Sequence, residues 1–243
     1  SLSIVAVECR LVRPVVSADS RDLSIVNGWH PLLQQCTTKI VPNSTRILED
    51  ECPIHVITGP NSSGKSIYLK QVALIVFLAH IGSFVPAEEA VVPFTDFLFC
   101  FFQTSGTSIP QPFSSSFVAE TKKIAEAIAR STERSLIVMD EFGKTSNYLD
   151  GSSLLCGIVR HFAKMKTGSP RFLVAAHFHA VLREPFLEPW MWVRSVMEVR
   201  WEEESEEVVF LYRLRRVGEE EVEGGKNESM GVECARMAGM NDG

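Results

Sequence analysis

The sequence predicts an α/β fold, a mostly parallel sheet flanked by helices with an antiparallel hairpin at one edge, and three stretches carry the prediction. Ile54-His-Val-Ile-Thr58, Gly59-Pro-Asn-Ser-Ser-Gly-Lys-Ser66 and residues 67–81 read in succession as a β-branched strand, a glycine-bounded loop and a helix. Ser135-Leu-Ile-Val-Met-Asp-Glu141 is an apolar run ending in two carboxylates. A buried parallel strand delivers acids in this way to the carboxyl edge of a sheet, where ligands of open α/β folds bind. Residues 193–200 and 208–214 are strand-like runs separated by the acidic Glu202-Glu-Glu-Ser-Glu-Glu207, which reads as an edge hairpin with a solvated turn.

At 243 residues, 45% hydrophobic and 22% charged, the chain is long enough to bury a sizeable core, and one α/β domain is the favoured division. It holds no apolar run of about 18 residues, and its first residues lack the basic-then-apolar pattern of a signal peptide. An intracellular protein with no membrane association is expected. The net charge of −6 argues against strong nucleic-acid binding by this segment, because such binding neutralises phosphates with clustered Lys and Arg. Cys9, Cys36, Cys52, Cys100, Cys156 and Cys234 are scattered, with no C-x-x-C pair and no zinc-like spacing to histidine. Most are expected to be reduced core residues.

Residues 1–52 alternate short apolar runs, Ser3-Ile-Val-Ala-Val7 among them, with polar turns. Asn27-Gly-Trp-His-Pro31 is a turn by composition. His30 within it is placed to approach a nucleotide base, although a histidine in a turn is more often a surface group. The helix after the loop sets Lys70 and Gln71 on one side and Val72, Ile75, Val76 and Ala79 on the side that packs on the sheet, and is expected to end near Gly82. Residues 94–102, rich in aromatics, read as a buried strand. A Ser/Gly/Pro loop over residues 104–116 leads into a helix over 117–130, and further helix and strand are expected at 152–165 and 172–176. Residues 218–229, rich in Glu and Gly, read as mobile.

The loop carries the chemistry. It fits G-x-x-x-x-G-K-[ST] between a strand and a helix, the context in which that motif means a phosphate cradle. Gly59 and Gly64 let the backbone fold tightly, so that past Pro60, which has no N–H, the N–H groups of Asn61, Ser62 and Ser63 and of the helix start converge on a phosphate at the helix's positive end. Lys65 reaches the β- and γ-phosphates, and the Ser66 hydroxyl is a Mg²⁺ ligand. Asp140 completes the Mg²⁺ site, directly or through water, and Glu141 is placed to orient and deprotonate an attacking water. ATP with Mg²⁺ is the expected ligand. His177, at the end of the 172–176 strand, is placed to bond a γ-phosphate or its attacking water; His179 is read as structural. Ser114, Ser115 and Ser116 can cap the following helix, and the same geometry offers hydroxyls to an anion.

With these segments in chain order, the sequence resembles the ATPase domain of the MutS family, a P-loop NTPase of the ABC-like class. Gly59–Val72 and Gly82-Ser-Phe-Val-Pro-Ala-Glu-Glu-Ala90 are most similar to its eukaryotic meiotic branch. Asp140-Glu-Phe-Gly-Lys144 with Asp150-Gly151, Ala176-His177, Gly28-Trp-His-Pro31 and the closing Ser229-Met-Gly231 and Ala238-Gly239 fall where the family has its own motifs. The resemblance covers residues 24–240, with 1–23 a preceding segment. It implies an ATP-hydrolysing domain of a DNA clamp that acts on branched recombination intermediates and supports crossing-over, in the nucleus. It also implies a heterodimer with a second MutS homologue, in which Ser115 and Ser116 approach the γ-phosphate held by the other subunit. DNA contact is expected through regions absent from this chain. The helical pair that ends the family's domain has no counterpart here, which points to a fragment.

Phe101 stands where the family usually has arginine, and Thr145-Ser146 where it has Gly-Thr. These departures motivate an alternative, an ATP-binding, poorly hydrolysing module that stabilises a heterodimer. A transporter motor would need an L-S-G-G-Q-like stretch, which Ser114–Ser116 does not supply.

Overall fold

The computed structural model describes residues 2–37, 39–102, 116–140, 148–176, 187–202 and 207–218. In chain order the elements are α1 (Leu2–Glu8), β1 (Val15–Ser17), β2 (Leu23–Gly28), α2 (Leu33–Cys36), β3 (Asn43–Ile47), β4 (Ile54–Thr58) and α3 (Lys65–His80). There follow β5 (Glu89–Pro93), β6 (Leu98–Phe101), α4 (Ser116–Arg130), β7 (Leu136–Asp140), α5 (Tyr148–Met165), β8 (Arg171–Ala175), β9 (Val193–Glu202) and β10 (Glu207–Arg216).

The main sheet has six strands in the order β10-β9-β4-β8-β7-β6. Four of its pairings are parallel, β9 with β4, β4 with β8, β8 with β7 and β7 with β6. Only β9 and β10 pair antiparallel, as the hairpin at the edge. The fold is thus α/β with a mostly parallel main sheet. Its central strands β4, β7 and β8 are buried at every position, because both faces are covered. Alternate residues serve the two sides, as the period of a strand requires. Leu173 and Ala175 face one core, and Phe172 and Val174 face the other together with Ile124 of α4 and Leu155, Val159 and Phe162 of α5.

The first of these cores contains an arrangement the sequence reading did not foresee. Strands β1, β2 and β3 with β5 form a separate four-stranded sheet, ordered β1-β5-β2-β3. Helix α3 lies between the two sheets, its Leu69, Val72, Ile75 and Val76 in one cluster with Leu23, Ile25, Ile47 and Val92 on one side and Leu136, Val138 and Leu173 on the other. A helix covered on both sides is apolar nearly all round. For that reason Gln71, expected beside Lys70 on a polar face, is only 2% exposed, with its amide donating to the Asn43 carbonyl at 3.0 Å. The buried Tyr68 hydroxyl likewise meets Thr45 Oγ1 at 2.9 Å.

The apolar run 3–7 lies in the helix α1. Two further expectations are corrected. Residues 94–102 are not a buried strand: β6 covers only Leu98–Phe101 and is half-buried, because it is the edge strand with one neighbour, while Phe94 is 48% exposed. Among the described cysteines only Cys156 is buried, and Cys36 and Cys100 are exposed. The expected ends hold elsewhere: α3 stops before Gly82, whose φ of +75° is the left-handed conformation that closes a helix. No helix among the described residues is long and apolar enough to cross a membrane.

Candidate functional site

The site grows out of the carboxyl end of β4. After Thr58 the chain must reverse into α3 within a few residues, and it does so through three left-handed positions, Gly59 (φ +147°), Ser62 (φ +63°) and Gly64 (φ +102°). At the first and last the φ favours glycine, and the space for a side chain is tight as well. A Cβ on Gly59 would lie 3.0 Å from Ser63 Oγ and 3.1 Å from Met197 Cβ, and one on Gly64 3.2 Å from Met197 Cε. Ser63 is fully buried beneath the turn. Lys65 arches back over the loop, its ammonium donating to the carbonyls of Gly59 and Pro60 at 2.8 Å each.

Ser66 is the second residue of α3, and the first turn of that helix carries no acidic side chain. The positive dipole end of the helix is therefore left for an anion from elsewhere. Asp140 ends β7, buried, and its register places it level with the end of the strand that feeds the loop. It lies opposite Ala175 of β8, which lies opposite Ile57 of β4. Two strand spacings, roughly 10 Å of backbone, separate the acid from the strand that feeds the loop. A glycine cradle at positive φ with little room for a Cβ, a buried ammonium and an acid-free helix start fit a polyphosphate. The Ser66 hydroxyl and the Asp140 carboxylate are hard oxygen donors of the kind Mg²⁺ takes.

Beside the loop opens a cavity of about 420 Å³, bordered by Asn61–Ser66 on one side and by Ile40, Val41, Asn43, Met197 and Tyr212 on the other. Sequence reasoning did not find these wall residues. They come from the connection before β3, from the start of β3 and from the edge hairpin, and only the tertiary fold joins them to the loop. His30, the sequence-based candidate for contact with a base, does not border this cavity. It is half-buried, with burial and then Lys70 holding its imidazole below the usual range.

Of the predicted site residues, the structure thus brings Gly59, Pro60, Asn61, Ser62, Ser63, Gly64, Lys65 and Ser66 into one loop, with Asp140 on the same sheet edge. Ser116 is the first residue of α4. Ser115, Glu141 and His177 lie outside the described residues, as do Thr145 and Ser146. Phe101 closes β6, in register with Met139.

Residues 55–242 match the family model described as MutS domain V. The DNA mismatch repair protein MutS of Clostridium perfringens is 31% identical over the whole chain, which spans 25% of that protein. MutS of Desulfitobacterium hafniense is 34% identical over 99% of the chain and 26% of its own length. MutS protein homolog 5 of Saccharomyces cerevisiae is 32% identical over 99% of the chain and 29% of its own length. The chain spans about a quarter of the length of the curated relatives it matches.

Proposed function

The chain belongs to the MutS family through its domain V, and from that premise we propose that it binds ATP with Mg²⁺ and hydrolyses it to drive a change of state in a DNA clamp. The observation that carries the proposal is the Gly59–Ser66 loop, with two glycines at positive φ where a side chain would be strained and the Lys65 ammonium folded over it. The loop amides and Lys65 hold the phosphates; Ser66 and Asp140 hold Mg²⁺. When bound, that ion offsets charge on the β- and γ-phosphates. Lys65 is already desolvated, so exchanging two carbonyls for phosphate oxygens needs little rearrangement of its stem. Glu141 takes the proton of the attacking water as the γ-phosphorus–oxygen bond to ADP breaks. His177 contacts the γ-phosphate or that water and reports which nucleotide is bound.

We assign the chain further to the meiotic branch, as a fifth eukaryotic MutS homologue in type, with residues 24–240 as the ATPase domain. The loop and Gly82–Ala90 motifs support this. Overall identity does not choose, since bacterial MutS proteins and the yeast homologue lie at 31–34% alike. On this reading the protein works in the nucleus on branched recombination intermediates, which it contacts through regions outside this chain. It pairs with a second MutS homologue whose site Ser115 and Ser116 complete. Steady-state phosphate release from this chain, alone and mixed with the ATPase domain of a second MutS homologue, tests it. Release only in the mixture is expected. Equal release by the chain alone removes the heterodimer, and tight MgATP binding without release in either setting favours the poorly hydrolysing module that Phe101, Thr145 and Ser146 suggest.

A further inference from the structure

Asn43 opens β3 with its side chain buried, and it is hydrogen-bonded on three sides. Its Nδ2 donates to the Tyr212 carbonyl at 2.9 Å, its Oδ1 accepts the Leu214 N–H at 2.6 Å, and its own carbonyl accepts from Gln71 Nε2 of α3. The two groups bonded by its side chain belong to a bulge in the edge hairpin. There β10 advances from Phe210 to Leu214 while β9 retreats only from Val199 to Met197, so four steps face two and Tyr212 has no register partner. A ladder interrupted in this way leaves backbone donors and acceptors that need other partners. One asparagine amide, with one donor and one acceptor edge, supplies both.

At the crest of the bulge Tyr212 has φ +54°, an outlier for an aromatic residue that persists only where its surroundings hold it. Held there, its ring stands against the phosphate loop. A Cβ on Gly64 would lie 3.3 Å from Tyr212 Cδ1, and Tyr212 and Gly64 border the same cavity. Gln71 reaches Asn43 because residue 28 is glycine: a Cβ at Gly28 would come within 2.8 Å of Gln71 Nε2. Asn43 is therefore held at its backbone carbonyl from the helix side and at its side-chain amide from the hairpin side.

We propose that Asn43 is a positioning residue for the nucleotide: it holds the Tyr212 wall beside the phosphate loop and thereby sets affinity for the nucleoside part of the ligand. The proposal rests on the reading of the loop as an ATP site. An aromatic wall offers a base its flat face, and such stacking is sequence-tolerant and substantial. Inorganic tripolyphosphate has no base and uses only the loop, so comparing the two ligands isolates the wall.

The experiment titrates MgATP and magnesium tripolyphosphate into the parent chain, Asn43→Ala, Tyr212→Ala and the double variant. Each single variant is expected to weaken MgATP about tenfold, in line with loss of a stacking contact, and to leave tripolyphosphate unchanged. The double variant is expected to bind MgATP no more weakly than Tyr212→Ala, because Asn43 acts through that ring. Asn43→Asp keeps the side-chain shape and the acceptor for Leu214 but removes the donor to Tyr212. It carries the same comparison should the alanine variant not fold. Unchanged MgATP affinity, equal loss for both ligands, or fully additive losses in the double variant would each overturn the proposal. A parent chain that binds neither ligand would overturn the ATP-site reading itself.

Discussion

Replacing Gly59 by alanine tests whether the loop has the geometry described. The perturbation acts in two ways. An L-residue at φ +147° sits in a region that is essentially reserved for glycine, at about 1–3 kcal/mol. The added Cβ also meets Met197 Cβ at 3.1 Å, an atom fixed to the β9 backbone that no rotamer change can withdraw, and such overpacking costs about 1–3 kcal/mol. Together they predict a loss of about 2–6 kcal/mol, divided between folding stability and nucleotide affinity according to whether the loop stays strained or relaxes. Urea unfolding at constant m-value reads the first part and MgATP titration the second. Gly82→Ala is the control, since its φ of +75° carries the backbone term but its Cβ meets nothing within 4 Å. It should lose only about 1–2 kcal/mol of stability and no affinity for MgATP. If Gly59→Ala stays within about 0.5 kcal/mol of the parent in both assays, the ordinary scatter of surface substitutions, the steric reasoning fails.

Lys65→Ala removes the ammonium that two carbonyls now hold. MgATP affinity should fall by at least about 2 kcal/mol, the value of a charged hydrogen bond, as read by calorimetry. Glu141→Gln should leave MgATP binding intact and trap the ATP-bound dimer; hydrolysis at the parent rate would remove Glu141 as the base. His177→Ala should slow turnover with little change in affinity, and an unchanged rate would return that histidine to a structural role. Burial first, and the Arg216 guanidinium second, push the His55 imidazole down to about 4. The unfolded chain takes up this proton near pH 6.5 while the folded one refuses it. Stability is therefore fully present above pH 6.5 and is lost as pH falls toward 4, by on the order of 3 kcal/mol at most. His55→Leu should flatten the pH dependence of urea midpoints across that window, and an unaltered slope would mean that other groups cause it.

The parts of the fold legible in the sequence are those written in local code. The loop announces itself by glycines that local turning requires, β7 by apolar residues buried on both faces, and the edge hairpin by two strand runs around a charged turn. The small sheet was not legible, because β1, β2 and β3 are short and are completed by β5 from beyond α3, a pairing that no local pattern encodes. Gln71 misled for a related reason. Its polarity suggested solvent, whereas its partner is a backbone carbonyl 28 residues earlier in the chain. The cavity wall was hidden most fully. Tyr212 is an ordinary strand residue by type, and only the bulge and the Asn43 amide 169 positions away bring it to the loop.

The insertion of β5 between β1 and β2 has a bearing on synthesis as well as on architecture. A nascent chain released through Thr58 already holds β1, β2, β3 and β4, yet it lacks both the strand that joins β1 to β2 and the helix on which their apolar faces rest. Leu23, Ile25 and Ile47 must then wait, uncovered, until translation has passed Pro93. Domains usually settle from the N-terminus as they emerge from the ribosome, but here the strands before Thr58 have no helix to settle on. The layer above the phosphate loop and the helix that begins in it are acquired in one step.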